Sequence, residues 1–190
     1  FAPVKAEDQL QIHSIVTSES PTGTDMKDAL QLMSKSGANY VYFWNSLNSV
    51  KWLPLLQKSG YFKNPPNIEP TGDGYVRSPT WHPLLYLSRI VSESPELVID
   101  IISKLPDTDN PRVMHTIADI AVDVEGINHS LKLYPWILKY IHGDDLLLAY
   151  DPIIKLLQRW SAESDRSKKT AIHLIKEIVF FRPDPQAEEK

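Results

Sequence analysis

The sequence contains no cysteine, and this absence removes a whole set of chemistries. Without thiols the chain can form no disulfide, hold no Cys-ligated zinc ion and use no thiolate nucleophile. The absence fits a reducing compartment, and we expect a cytoplasmic location. No apolar run approaches about 18 residues, so no membrane span is predicted. The chain starts Phe1-Ala2-Pro3, without methionine or a signal-peptide pattern, and we interpret it as a fragment of a longer protein.

The chain also lacks an excess of positive charge. Its formal net charge of −4 at pH 7 argues against indiscriminate binding to polyanions. Residues 81–150 carry 5 basic and 10 acidic side chains, whereas residues 151–190 carry 8 basic and 7 acidic ones. Nucleic acid is therefore an unlikely partner by sequence, and any contact with it would use the C-terminal part.

No recognisable catalytic or cofactor motif is present: the sequence holds no HExxH, no GxSxG and no phosphate-binding loop. The helical pairs His115–Asp119 and His173–Glu177 have the spacing of ordinary surface contacts. The segment 107–112 begins like a calcium loop, but Arg112 stands where that loop requires glycine. We predict no catalytic residue, no cofactor and no metal ion. An enzyme with an unrecognised site near residues 61–80 stays open as an alternative.

What the sequence does contain is a series of short amphipathic helix patterns. Three of them start with a capping residue followed by proline: Ser94-Pro95, Asn110-Pro111 and Asp151-Pro152. The short links between patterns favour antiparallel helical hairpins, which repeat every 30 to 40 residues or so. We expect at least six helices between Thr80 and Phe181. The central residue of five patterns should be buried: Ile101, Ile117, Leu138, Leu156 and Ile175.

The chain divides into three predicted regions. Residues 1–24 are predicted to be an extended N-terminal arm, since Gln9–Val16 partly alternates between polar and apolar residues. Residues 25–182 are predicted to be a helical-repeat domain with one long loop, 61–80, rich in proline and glycine. The aromatic residues near Trp44 are expected in its core. Residues 183–190 are predicted to be a polar tail or linker.

One stretch, residues 50–125, resembles a HEAT-like helical segment found in large bacterial multidomain proteins. The resemblance rests on four motifs and on an upstream segment with Trp52-Leu53, Gly60-Tyr61-Phe62 and Pro65-Pro66. The four motifs are Trp81-His-Pro-Leu-Leu-Tyr-Leu87, Ser94-Pro-Glu-Leu-Val98, Asp107-Thr-Asp-Asn-Pro-Arg-Val113 and Asp119-Ile-Ala121. Some proteins with such a segment belong to defence or mobile-element systems. The resemblance implies an all-α fold, an α-solenoid of HEAT-like antiparallel hairpins.

Stacked helical hairpins usually present surfaces rather than perform chemistry. The predicted function is therefore a protein-interaction or scaffold module that binds a partner protein or a neighbouring domain of the same chain. The alternative is a nucleic-acid-contacting sensor arm that uses basic residues of the last two helices. Five residues are candidates for partner binding: Lys155, Arg159, Lys168, Lys169 and Arg77.

Overall fold

The computed structural model describes residues 3–72, 74–143 and 146–180, without the side chains of residues 146–150. These residues form eleven α-helices, one 3-10 turn (Val50–Trp52) and one two-stranded hairpin. The first five helices are α1 (Ala6–Val16), α2 (Gly23–Lys35), α3 (Gly37–Ser46), α4 (Leu53–Lys58) and α5 (His82–Ile90). The others are α6 (Pro95–Ser103), α7 (Pro111–Asp123), α8 (Ile127–Lys132), α9 (Tyr134–Ile141), α10 (Leu146–Glu163) and α11 (Asp165–Phe180). The strands are β1 (Glu69–Pro70) and β2 (Val76–Arg77). The described chain is thus all-α, as the sequence predicted.

The prediction that residues 1–24 form an extended arm is wrong. Residues 6–16 form helix α1, which buries Asp8, Ile12 and Val16 at a spacing of four residues. The Asp8 carboxylate accepts hydrogen bonds from Lys35 Nζ at 2.6 Å and from Asn39 Nδ2 at 2.9 Å. These bonds hold the pKa of Asp8 below its ordinary value, the Lys35 bond being the larger cause. The partial alternation of the sequence was misleading because the contacts with α2 and α3 decide which face of this segment is buried.

Proline marks two of the three predicted helix starts correctly. Helix α6 begins at Pro95 and helix α7 at Pro111, where the Asn110 side chain accepts a hydrogen bond from the Arg112 amide at 3.0 Å. The third prediction is wrong, because Pro152 lies inside α10. Proline removes one backbone donor there and crowds the carbonyl one turn before it, but the leucine-rich residues that precede it still extend the helix backwards. The predicted tail, residues 183–190, lies outside the described residues.

The predicted core is confirmed for three of its five central residues. Ile101, Ile117 and Leu156 are buried, while Leu138 is only partly buried and packs against the core. Ile175 is 44% exposed, so its prediction is wrong. Helix α11 turns its small residues Ser167 and Ala171, together with Leu174, towards the protein instead.

Helices α7 and α10 are joined by polar contacts as well as by apolar packing. Buried Ser130 donates a hydrogen bond to the Ala121 carbonyl at 2.6 Å and accepts one from Trp160 Nε1 at 2.8 Å. Arg159 Nη1 donates to the carbonyls of Ala121 and Val122, at 3.2 and 2.7 Å. Each of these groups is satisfied, so burying them carries no large penalty. They fix the C-terminal end of α7 against α8 and α10.

The described residues between α4 and α5 form no helix, and hydrogen bonds attach them to the residues that precede α7. Asp109 Oδ1 accepts from the Ile68 amide at 2.9 Å, and Thr108 Oγ1 donates to the Pro66 carbonyl at 2.7 Å. Asn110 Nδ2 donates to the Pro79 carbonyl at 2.8 Å. The segment 107–112, which begins like a calcium loop in sequence, thus has a structural role. It holds the β1–β2 hairpin beside helix α7.

Candidate functional site

Two of the predicted partner-binding cations, on α10, are engaged within the protein. Lys155 Nζ donates to Asp151 Oδ2 at 2.6 Å, and this bond raises the pKa of Lys155. Arg159 Nε donates to Glu163 Oε1 at 2.9 Å while its Nη1 contacts the carbonyl end of α7. A cation at a helix C-terminus stabilises the helix. Arg159 therefore stabilises the fold, and Lys155 forms an ion pair with the Asp151 carboxylate.

Lys168 and Lys169 lie on α11, on an exposed surface that also contains apolar side chains. Lys176 is the third lysine of this surface, and none of the three forms an ion pair with a carboxylate of the described chain. Ile172, Ile175 and Val179 lie among the lysines at helical spacing, and all three are exposed. We call these six residues the α11 face.

The opposite edge of α11 is attached to α9 and to the residue that follows it. The Tyr134 hydroxyl and His173 Nδ1 form a hydrogen bond, and His142 Nε2 lies 3.0 Å from Glu177 Oε2. His173 Nε2 is also 3.7 Å from Glu177 Oε1, as its spacing predicted. These contacts fix the rotation of α11 about its axis. The α11 face is consequently held towards solvent.

The fifth predicted cation, Arg77, lies far along the chain from the others, on strand β2. The antiparallel register pairs Arg77 with Glu69, and Arg77 donates from Nε to Glu69 Oε2 at 3.0 Å. Between the two strands lie Gly72 and Gly74, both with positive φ, a conformation that glycine adopts without strain. Arg77 is not brought together with Lys155 or Lys168 by any described contact.

A groove of about 790 Å³ lies between the hairpin and helices α5, α7 and α9. Its apolar part is formed mainly by Trp81, Leu84, Leu85 and Val113, and its polar part includes Arg77, Arg112 and His115. No described aspartate or glutamate lines it, although this part of the sequence is rich in acidic residues. We call this feature the hairpin groove. Sequence reasoning missed it, because its walls come from segments about 30 residues apart.

His115 of the groove connects helices α7 and α9. Its Nδ1 is 2.8 Å from the Tyr140 hydroxyl, and its Nε2 is 3.4 Å from Asp119 Oδ2. Burial raises the pKa of Asp119, and the charge of His115 opposes that shift. The sequence predicted the contact between His115 and Asp119 but not the third member, Tyr140. Both ring nitrogens are engaged, so His115 holds the two helices together.

The described residues contain no group of three His, Asp or Glu side chains placed to hold a metal ion. Within the same ranges, no helix is long and apolar enough to cross a membrane. Comparison of the chain with known protein families, with curated proteins and with solved structures found no match. The α11 face and the hairpin groove are therefore the two features of the described chain from which we infer its function.

Proposed function

We propose that this chain is a protein-interaction or scaffold module of a larger bacterial protein, and that the α11 face binds its partner. The single observation that carries the proposal is the α11 face itself. Three apolar side chains are exposed next to one another there, at helical spacing. On most protein surfaces, exposed apolar residues are instead isolated from one another. Contiguous apolar side chains surrounded by polar ones are typical of interaction sites.

The arrangement of the helices supports a layered, HEAT-like array. The odd-numbered helices contact one another in succession, α1 with α3, α3 with α5, α5 with α7, α7 with α9 and α9 with α11. Even-numbered helices form part of a second layer, in which α2 contacts α4 and α6 contacts α8. Solenoids stack helical pairs in this way and bind partners along the resulting surfaces. Helix α10 departs from the pattern by packing directly on α7.

The charge of the α11 face indicates the chemistry of the partner. Lys168, Lys169 and Lys176 have no described carboxylate to neutralise them, and Ile172 and Ile175 lie between them. An amphipathic helix with acidic side chains beside its apolar stripe would match both properties, as in helix-in-groove recognition. Complementary charge of this kind also accelerates association and selects against wrong partners. The proposed occupant is therefore an acidic amphipathic helix of a partner protein or of a neighbouring domain.

The test uses the full chain and two fluorescent helical peptides with identical leucine spacing. One peptide carries glutamate at its polar positions and the other carries lysine. We expect the acidic peptide to bind, with anisotropy reporting the affinity, and the basic peptide to bind at least about tenfold more weakly. Ile175→Asp should reduce the affinity for the acidic peptide by a similar factor, because it places a carboxylate inside the apolar stripe.

The matched control is Leu97→Asp, which introduces the same charge at an exposed apolar residue of α6. Leu97→Asp should leave the binding unchanged. Equal affinity for the two peptides, no binding of either, or equal damage by both variants would contradict the proposal. Sedimentation that showed a dimer broken only by Ile175→Asp would instead assign the α11 face to a second copy of the chain.

A further inference from the structure

The hairpin groove contains one guanidinium that no carboxylate of the described chain neutralises. Arg77 is bonded to Glu69, and both nitrogens of His115 are engaged. Arg112 differs from them, since its Nη1 donates at 3.3 Å to an uncharged group, Thr80 Oγ1. That contact leaves most donors of the guanidinium available, because an arginine side chain carries five N–H groups.

Apolar side chains lie next to Arg112 in the same groove. Trp81 lies just before helix α5, Leu84 and Leu85 lie in its first turn, and Val113 follows Arg112 on α7. Leu84 and Val113 are almost fully buried, so Trp81 and half-buried Leu85 are the members of this apolar surface nearest to solvent. A guanidinium forms its strongest and most directional contact with a carboxylate, through two parallel hydrogen bonds. The groove therefore combines a carboxylate-binding group with a surface for an apolar side chain. Its volume of about 790 Å³ lies in the range of ligand sites.

We infer that the hairpin groove binds a short peptide segment of a partner protein in which an acidic side chain lies next to an apolar one. The carboxylate contacts Arg112, and the apolar side chain packs against Trp81 and Leu85. Charge complementarity carries this assignment: the charged side chains that line the groove in the described part of the chain are Arg77 and Arg112, both cations, within a chain of net charge −4. The site is separate from the α11 face, so it does not depend on the function proposed above.

The experiment titrates the full chain with two blocked pentapeptides, Ac-Leu-Glu-Leu-Glu-Leu-NH2 and the same peptide with glutamine for glutamate. The readout is the NMR resonance of the Trp81 indole N–H, assigned by its loss in Trp81→Phe. We expect the glutamate peptide to shift this resonance, and the glutamine peptide to bind about tenfold more weakly. Arg112→Gln should reduce the affinity for the glutamate peptide by the same factor. It should remove the difference between the two peptides.

The matched control is Arg166→Gln, which removes another exposed arginine, on α11 and outside the groove. It should bind both peptides as the unchanged chain does. Equal affinity of the unchanged chain for the two peptides, or a Trp81 resonance that does not move, would overturn the inference. So would equal losses of affinity from Arg112→Gln and Arg166→Gln.

Tighter binding of free hexanoate than of the glutamate peptide would assign the groove to small carboxylates instead of peptides. Failure here would leave the α11 face untouched, and the reverse also holds.

Discussion

The N-terminal aromatic cluster and the α11 face are both rich in large apolar side chains, but only the first is covered. Trp44 is fully buried, and its ring contacts Phe43, Tyr61 and Tyr86, with centroids 5.4, 5.1 and 6.1 Å away. Burial in this cluster raises the pKa of Tyr61 to about 12. On α11, Ile175 and Val179 are exposed instead.

This difference shows what helical spacing of apolar residues does and does not predict. The spacing identified an apolar side of α11, but the prediction that this side is buried was wrong for Ile175. It carries no information about whether another element lies against that side. In the aromatic cluster, segments from α3 to α5 cover one another, whereas no described element covers the α11 face. Exposure of this kind is the reason for assigning a partner to α11.

The sharpest test of this comparison makes the same substitution in both regions. Ile12→Ala, in buried α1, should lower the free energy of unfolding by about 2 to 5 kcal/mol, because it leaves a cavity. Ile175→Ala should change it by no more than about 0.5 kcal/mol, since this side chain already contacts water. Urea denaturation of the two variants measures both values. Similar losses at the two positions would mean that the exposed and covered regions do not differ as described.

A second, smaller effect concerns the pH dependence of the N-terminal region. The folded-state pKa of Asp8 is lowered by Lys35 and Asn39, so the carboxylate adds stability above the unfolded-state pKa of about 4. That contribution disappears as the pH falls through the lower folded-state value. Between pH 7 and pH 3 the unchanged chain should therefore lose more stability than Asp8→Asn does.

The control for the pH experiment is Asp28→Asn, at an exposed carboxylate of α2 without a described ion pair. Its unfolding free energy should follow that of the unchanged chain at each pH. Urea melts at pH 7, 5 and 3 supply the comparison. If Asp8→Asn also followed the unchanged chain, the Asp8 contacts would not form in solution, and α1 would not be held as the structure shows.

The smallest expected effect is on nucleic-acid binding by the C-terminal region. We expect a labelled duplex and a labelled single strand to bind weakly or not at all at about 150 mM salt. Arg159 and Lys155 already contact groups of the protein, which leaves few cations for phosphate. Submicromolar binding that is abolished by Lys168→Glu and Lys169→Glu would show that the α11 face is a nucleic-acid interface.

The sequence was most informative where a local signal decides the structure. A capping side chain before proline starts α7, and Asn110 needs only its own neighbours to cap that helix. The same dipeptide pattern at Asp151-Pro152 misled, because the helical residues before it extend α10 backwards past proline. In α1, the partial alternation of polar and apolar residues was read as an extended segment instead of a helix. Only the contacts of Asp8 with Lys35 and Asn39 show which residues of this helix are buried.

The two candidate surfaces differ in how far they could be foreseen. Lys168 and Lys169 were recognisable as candidates, because their charge and position on a helix follow from the sequence. Arg112 was noticed only as the residue that excludes a calcium loop. Its place in a groove depends on the hairpin, which is held beside α7 by bonds from Thr108, Asp109 and Asn110 to distant backbone groups. No local pattern encodes such contacts.

The attachment of α10 to the end of α7 has a consequence for hydrogen exchange. Ser130, Trp160 and Arg159 all connect to the carbonyls of Ala121 and Val122, directly or through one intermediate group. Helix α10 therefore cannot separate from α7 without breaking several of these bonds at once, and α11 packs on α10. The amides of these three helices should exchange as one cooperative unit, and a partner that binds α11 should slow exchange in α7 as well.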